Sequence, residues 1–325
     1  MRRREFITVL GSATAWPLAA RAQQLAMPLV GFLNQESGDL IPHLVAAFKK
    51  GLSESGFAEN RNVAVEYRWA DANYNRLPQL AAELVNLKAT VIAAAYLPAA
   101  RAAQAATSTI PIVFISGVDP VAAGLVTSLR KPGGNLTGLS NFNTRLTAKR
   151  IELLHQVVPR SRTIAVLVNP NSPATETIDA EAQAAAQALG LRLDIHSAGT
   201  EADIDGAFAT MVKSGAGALI VAGDAYFNAR RAQLTSLATR YRLPVIYDRK
   251  EIAMADGLMS YGINNSDVYR QAAIYTGQIL KGAKPADLPV QQPTKVELIV
   301  NLKVAGLLGL DLPTSVLLSA DEVIE

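Results

Sequence analysis

Short apolar runs rich in Val and Ile alternate along this chain with stretches whose apolar positions recur at helical spacing. The first kind reads as buried strand, the second as amphipathic helix. Residues 27–33 predict a strand, and 40–55 a helix with Leu44, Val45, Phe48 and Leu52 on one face and Gly56 suited to its C-cap. In 63–69 the apolar residues Val63, Val65, Tyr67 and Trp69 alternate with Ala64, Glu66 and Arg68, a strand with one wetter face. Helix 77–87, strand 90–95, helix 99–107 and strand 111–115 follow. Lys131-Pro132-Gly133-Gly134-Asn135 is the clearest turn cluster, placed before a crossing between two lobes. The rhythm then resumes with strands at 136–139, 163–168, 192–195, 218–221, 244–247, 257–261 and 296–300. Helices are expected between them at 147–158, 178–189, 204–214, 230–241 and 268–281. Such alternation implies an α/β protein of two doubly wound lobes, each a parallel sheet covered by helices on both faces.

The first residues follow another pattern. Met1-Arg2-Arg3-Arg4-Glu5-Phe6-Ile7 is basic, 8–20 is apolar, and Ala20-Arg21-Ala22-Gln23 offers a small-x-small exit. These are the parts of a signal peptide over 1–22, cleaved after Ala22, and the apolar run is too short for a permanent span. Arg3-Arg4-Glu5-Phe6-Ile7 resembles the twin-arginine (Tat) export motif. Four arginines against one glutamate in this leader carry the whole formal charge of +3, so the remainder is balanced. A balanced chain has no electrostatic case for binding nucleic acid. With no cysteine, disulfides, thiolate catalysis and a lipid anchor are excluded. His43, His155 and His196 are scattered, which argues against a histidine metal cluster. A periplasmic protein is expected.

Neither lobe has Gly-x-Gly-x-x-Gly or a phosphate-binding Gly-Lys-Ser/Thr after a strand, so no nucleotide cofactor is expected. In open parallel sheets ligands sit beyond the carboxyl ends of strands. Those ends supply Asn34, Gln35, Tyr74, Tyr96, Pro98, Ala99, Ser116, Asp119, Ser140 and Phe142 in the first lobe. The second lobe supplies Asn171, Asp224, Tyr226, Tyr247 and Asp248, and Asn264 follows the return crossing. Several of these have a structural alternative. Asp119-Pro120 suits a helix cap as well as a ligand contact. Pro98 favours a helix start that aims N–H groups at the cleft, and the Asn169-Pro170-Asn171-Ser172 segment is turn chemistry first. Asp224 is the preferred acceptor for a ligand amino group, with a helix cap as the alternative. Trp69, Tyr74, Tyr96, Phe142, Tyr226, Phe227 and Tyr247 lie near strand ends, where stacking on a planar ligand competes with core packing.

Several segments resemble one family throughout. They are Asp119-Pro120-Val121-Ala122-Ala123-Gly124-Leu125-Val126, Lys131-Pro132-Gly133-Gly134-Asn135-Leu136-Thr137-Gly138, and Val166-Leu167-Val168-Asn169-Pro170. Ile279-Leu280-Lys281-Gly282-Ala283-Lys284-Pro285-Ala286-Asp287 and Glu297-Leu298-Ile299-Val300-Asn301-Leu302-Lys303 complete the set. They are similar to the exported substrate-binding proteins of ABC transporters, in the branch that binds tryptophan, tyrosine and related compounds. The resemblance implies a type I periplasmic-binding-protein fold with three hinge crossings, no catalysis and no cofactor. It also implies a small-molecule ligand delivered to ABC permease subunits, and a monomer is expected. Lobe 1 is expected to take 23–139 and 253–290, and lobe 2 to take 140–252 and 291–325. Relatives place Thr or Ser where this chain has Leu97, and Asp where it has Asn264; both differences suit a less polar or less cationic ligand. The expected role is capture of an aromatic or branched amino acid, or a related carboxylate, by lobe closure. The alternatives are a ligand-sensing subunit for a membrane receptor and an exported hydrolase. Against the hydrolase stand the absence of Gly-x-Ser-x-Gly and of a well-placed histidine base.

Overall fold

The computed structural model describes residues 27–325, so the expected signal peptide and its cleavage point lie outside the described residues. Two sheets organise the chain. The first runs β2-β1-β3-β4-β5 and is wholly parallel, from β1 (Leu29–Asn34), β2 (Ala64–Trp69), β3 (Val91–Ala95), β4 (Ile112–Ser116) and β5 (Leu136–Ser140). Every residue of β3 and β4 is buried, because both faces are covered. One face carries α1 (Pro42–Glu54), whose Leu44, Phe48 and Leu52 pack on Val30 and Phe32. The other carries α2 (Leu77–Asn86) and α3 (Leu97–Ala106), which cover Ile92, Ala94 and Phe114. β2 is an edge strand and stays half-buried, which explains its alternating pattern.

After β5 the chain crosses to the second lobe and begins α4 (Thr147–Val157). There follow β6 (Thr163–Val168), α5 (Thr175–Ala188), β7 (Arg192–Ser197), α6 (Glu201–Lys213), β8 (Ala218–Val221), α7 (Ala225–Ala229), α8 (Arg231–Arg240), β9 (Val245–Tyr247) and α9 (Lys250–Ala255). Successive residues of β6 point to opposite faces. Ile164, Val166 and Val168 meet α4 and α5, while Ala165 and Leu167 meet α6 and α8.

The return to the first lobe departs from the expected boundary at 253. β10 (Met259–Ile263) pairs parallel with β9 and antiparallel with β11 (Val296–Asn301), inside a sheet ordered β12-β11-β10-β9-β8-β6-β7. A strand so flanked has both hydrogen-bonding edges filled by the second lobe and cannot belong to the first. The segment 265–291 crosses back, and its helix α10 (Asn265–Leu280) lies along α1. Gln291 then bridges Leu139 of β5 before the chain crosses again into β11. The three crossings therefore fall at 141–146, at Asn264 and at 292–295. The second sheet is mixed, not purely parallel as expected. Its end is built by α11 (Leu302–Leu308), α12 (Thr314–Leu318) and the edge strand β12 (Glu322–Ile324), three short elements without a strong sequence pattern.

Candidate functional site

The carboxyl ends of both sheets face one cleft, and polar side chains reach across it. β1 ends at Asn34, whose Nδ2 donates to the Tyr269 hydroxyl at 3.1 Å and whose Oδ1 accepts from the Glu36 N–H at 3.0 Å. Glu36 is thereby turned toward the second lobe, where it forms an ion pair with Arg249 just beyond β9. The Asn228 amide donates to Glu36 Oε2 at 2.8 Å, and Arg249 donates to the Tyr96 hydroxyl at 2.9 Å. Both members of the pair are buried. Burial pushes the Glu36 carboxyl up, and the Arg249 charge pulls it back. Burial works most strongly against the Arg249 charge, but Glu36, with Tyr96, Asp248 and Glu251 adding to it, outweighs burial and holds the guanidinium ionised.

A second link lies beside the first. The Tyr74 hydroxyl donates to Asp224 Oδ2 at 2.6 Å, so burial and the adjacent carboxylate push the phenol up. Asp224 Oδ1 accepts from Asn169 Nδ2 at 2.8 Å and from the Tyr226 N–H at 2.9 Å, capping α7. At the cleft's flank His43 Nε2 meets Glu251 at 2.8 Å. Burial opposes the Glu251 charge, but the His43 hydrogen bond and Arg249 prevail and hold its carboxyl at about 2.

Between these links and the crossing at 141–146 lies a pocket with about 840 Å³ of space free of atoms, counting solvent at its mouth. Leu97, Pro98, Val118, Ile178 and Ile220 supply apolar wall from both lobes. Polar groups facing it include Gln35, Asn143, Arg150, Asp224 and Asp248. Its first-lobe wall is strained. Tyr96, immediately before α3, holds φ 72° and ψ 160°, a region almost reserved for glycine. Its second-lobe wall is tight: a Cβ on Gly223 would stand 2.3 Å from Asp248 Oδ2, so only glycine lets the Asp248 carboxylate sit there.

The residues expected from the strand ends separate into three groups. Gln35, Tyr96, Pro98, Asp224 and Asp248 line the pocket. Asn34 and Tyr74 stand behind it and aim Glu36 and Asp224 across the cleft. The others have structural work. Ser116 and Ser140 both donate to the Val118 carbonyl, at 2.9 and 3.1 Å, and hold the pocket's Gly117-Val118 wall. Ala99 is buried in α3, and Tyr247 in the core under α6 and α8. Asp119 caps its turn by accepting from the Val121 and Ala122 N–H groups, the structural alternative of the two. Asn264 caps α10 and donates to Glu297 at 2.7 Å. Phe142 lies under the Arg145 guanidinium at 4.1 Å in the crossing, Tyr226 lies under Arg230, and Asn171 is exposed. Of the aromatic set only Tyr96 lines the pocket. Trp69 instead stacks on Tyr67 at the first sheet's edge, and Phe227 is buried in the second lobe's core.

Arg150, Asn143, Thr147 and Arg249 line the pocket without having been expected. Arg150 had a readable signal. It lies four residues before Leu154 and seven before Val157, hence on the apolar face of α4, where an arginine is out of place without a polar role.

Comparison with known proteins adds the family. The model of the ABC transporter substrate binding protein family matches residues 30–324. A tyrosine-binding protein from Clostridioides difficile (strain R20291) is 26% identical over 254 residues, 78% of this chain and 73% of its own. The ABC domain in complex with L-Trp from Streptococcus pneumonia is 26% identical with a TM-score of 0.84, covering 91% of this chain and 99% of that one. The ligand-free, open structure of a substrate binding protein with adhesive properties from Clostridium difficile covers the same shares at 25% identity, with a TM-score of only 0.67. At nearly the same identity and coverage, the chain superposes better on the L-Trp complex than on the ligand-free, open structure. With two lobes, three crossings and an interlobe pocket of this fold, the chain belongs to the ABC transporter substrate-binding protein family and has the type I periplasmic-binding-protein architecture.

Proposed function

We propose that this protein is the exported solute-binding component of an ABC importer. It captures an aromatic or branched amino acid, or a related carboxylate, in the cleft and delivers it unchanged to a membrane permease. The observation that carries this reading is the interlobe pocket, which combines apolar wall drawn from both lobes with arginines and aspartates of the second lobe. A site completed only when the lobes meet gives a ligand differential affinity for the closed form, which is what shifts a hinge equilibrium. The relatives that bind tyrosine and L-Trp support the ligand class. Among the described residues no helix is long and apolar enough to cross a membrane, which agrees with a carrier that meets its permease transiently.

Thermal melting of the mature chain with tyrosine, tryptophan, leucine and their carboxylate analogues tests the proposal. A ligand at 100 times its Kd adds about 2.7 kcal/mol to the stability of the bound form. A saturable rise in Tm with at least one of these compounds, and its recovery intact by mass spectrometry, is expected. No rise with any of them would refute the ligand class.

A further inference from the structure

Arg150 is a buried cation that its own surroundings leave without a counter-ion. The residue is 2% exposed. Nε donates to the Tyr261 carbonyl at 2.8 Å, Nη2 to Asn143 Oδ1 at 2.6 Å, and Nη1 to the Asn143 carbonyl at 3.4 Å. All three acceptors are neutral, and no carboxylate among the described residues forms an ion pair with it. A guanidinium has five N–H donors, so donors remain unpaired within the protein on a side chain that lines the pocket. Burial pushes the Arg150 guanidinium down from its ordinary range, and the charge on Asp248 opposes that.

Asp248 lies near Arg150 but is kept from touching it. The Asn143 side chain stands between them: its Oδ1 accepts from Arg150, and its Nδ2 donates to Asp248 Oδ2 at 3.3 Å. One amide thus holds a cation and an anion apart on the pocket wall. Across the cleft, Gln35 Oε1 is buried and has no donor. Asp224, expected from the sequence to take a ligand amino group, already accepts from Tyr74, Asn169 and the Tyr226 N–H.

From this arrangement, and resting on the capture reading above, we infer that the ligand is a zwitterion whose carboxylate seats on Arg150 and whose ammonium seats on Asp248 with Gln35 Oε1. Asp224 then belongs to the closure link, and Asn143 positions both poles. The apolar wall of Leu97, Pro98, Val118, Ile178 and Ile220 receives the side chain.

Isothermal titration of the full mature chain with three matched probes tests the inference. The probes are L-tyrosine, tyramine (which lacks the carboxylate) and 3-(4-hydroxyphenyl)propionate (which lacks the ammonium). L-Leucine, isopentylamine and 4-methylpentanoate form a second set. Each single-charge analogue is expected to bind at least about 30-fold more weakly than its parent, because it leaves a buried charge unanswered. Arg150→Met should weaken the amino acid by a similar factor while leaving the amine unchanged, and Asp248→Asn should do the converse for the acid. The wild-type comparison needs no variant to fold. Wild-type protein that binds tyramine or the propionate as tightly as tyrosine would overturn the inference and leave the capture reading standing. A panel in which nothing binds would overturn both.

Discussion

Glu36 and Arg249 form a buried ion pair across the cleft. The Arg249 charge pulls against the upward push of burial on Glu36, and the Glu36 charge pushes the Arg249 guanidinium up. Removing one partner of such a pair leaves an uncompensated charge, at a cost of about 3–5 kcal/mol. In this molecule the cost can be escaped by opening, since opening hydrates Arg249 without unfolding either sheet. Glu36→Gln is therefore expected to shift the free protein toward the open form and to weaken ligand binding, with little change in the melting of the lobes. Small-angle scattering checks it: the variant should have the larger radius of gyration, and superimposable profiles would count against the link. The two arginines also show what single residues disclose. Arg150 breaks the apolar phase of its own helix and is legible in that way. Arg249 follows a strand end as any loop residue might, and its partner lies 213 positions away, so no local pattern marks it.

At the scale of elements, α1 and α10 make the closest helix contact in the first lobe. Gly51 allows it: a Cβ there would lie 2.1 Å from the Arg270 carbonyl and 2.8 Å from the Ala273 Cβ. Gly51→Ala must separate the helices and is expected to destabilise by about 1–3 kcal/mol, the range for overpacking a well-filled contact. Since α10 enters from the second lobe, its displacement should also disturb the hinge. Thermal denaturation with and without ligand measures both effects, and an unchanged Tm would refute the tight crossing. Elements of this kind were legible singly, because apolar runs such as 91–95 and 112–116 read as buried strands whatever they pair with. Their allocation to a lobe was less so. Residues 259–263 look the same beside either sheet, and only the pairing with β9 and β11 assigns them. The site shows the same division. Strand ends pointed to five of the pocket residues, whereas serines at equivalent ends turned inward to hold Val118.

Across the whole molecule, several polar links join the lobes, and one of them is sensitive to acid. His43 of α1 meets Glu251 of α9, and Arg249 lies close enough to add its field. Glu251 is held at about 2, below its ordinary 4.5. A carboxyl depressed in this way stabilises the state that depresses it at every pH above its ordinary value. The contribution is lost as pH falls through the window from 4.5 toward 2, where the closed form alone still keeps the charge. Opening the lobes breaks the His43 contact, so the same sign applies to closure. The closed fraction should therefore fall through that window, tracked by energy transfer between dyes placed on the two lobes. Other carboxylates titrate in the same range, which makes the difference between wild type and Glu251→Gln the informative quantity. The variant should start less closed near neutral pH and change less on acidification. Parallel pH profiles for the two proteins would show that the His43 link has no part in holding the lobes together.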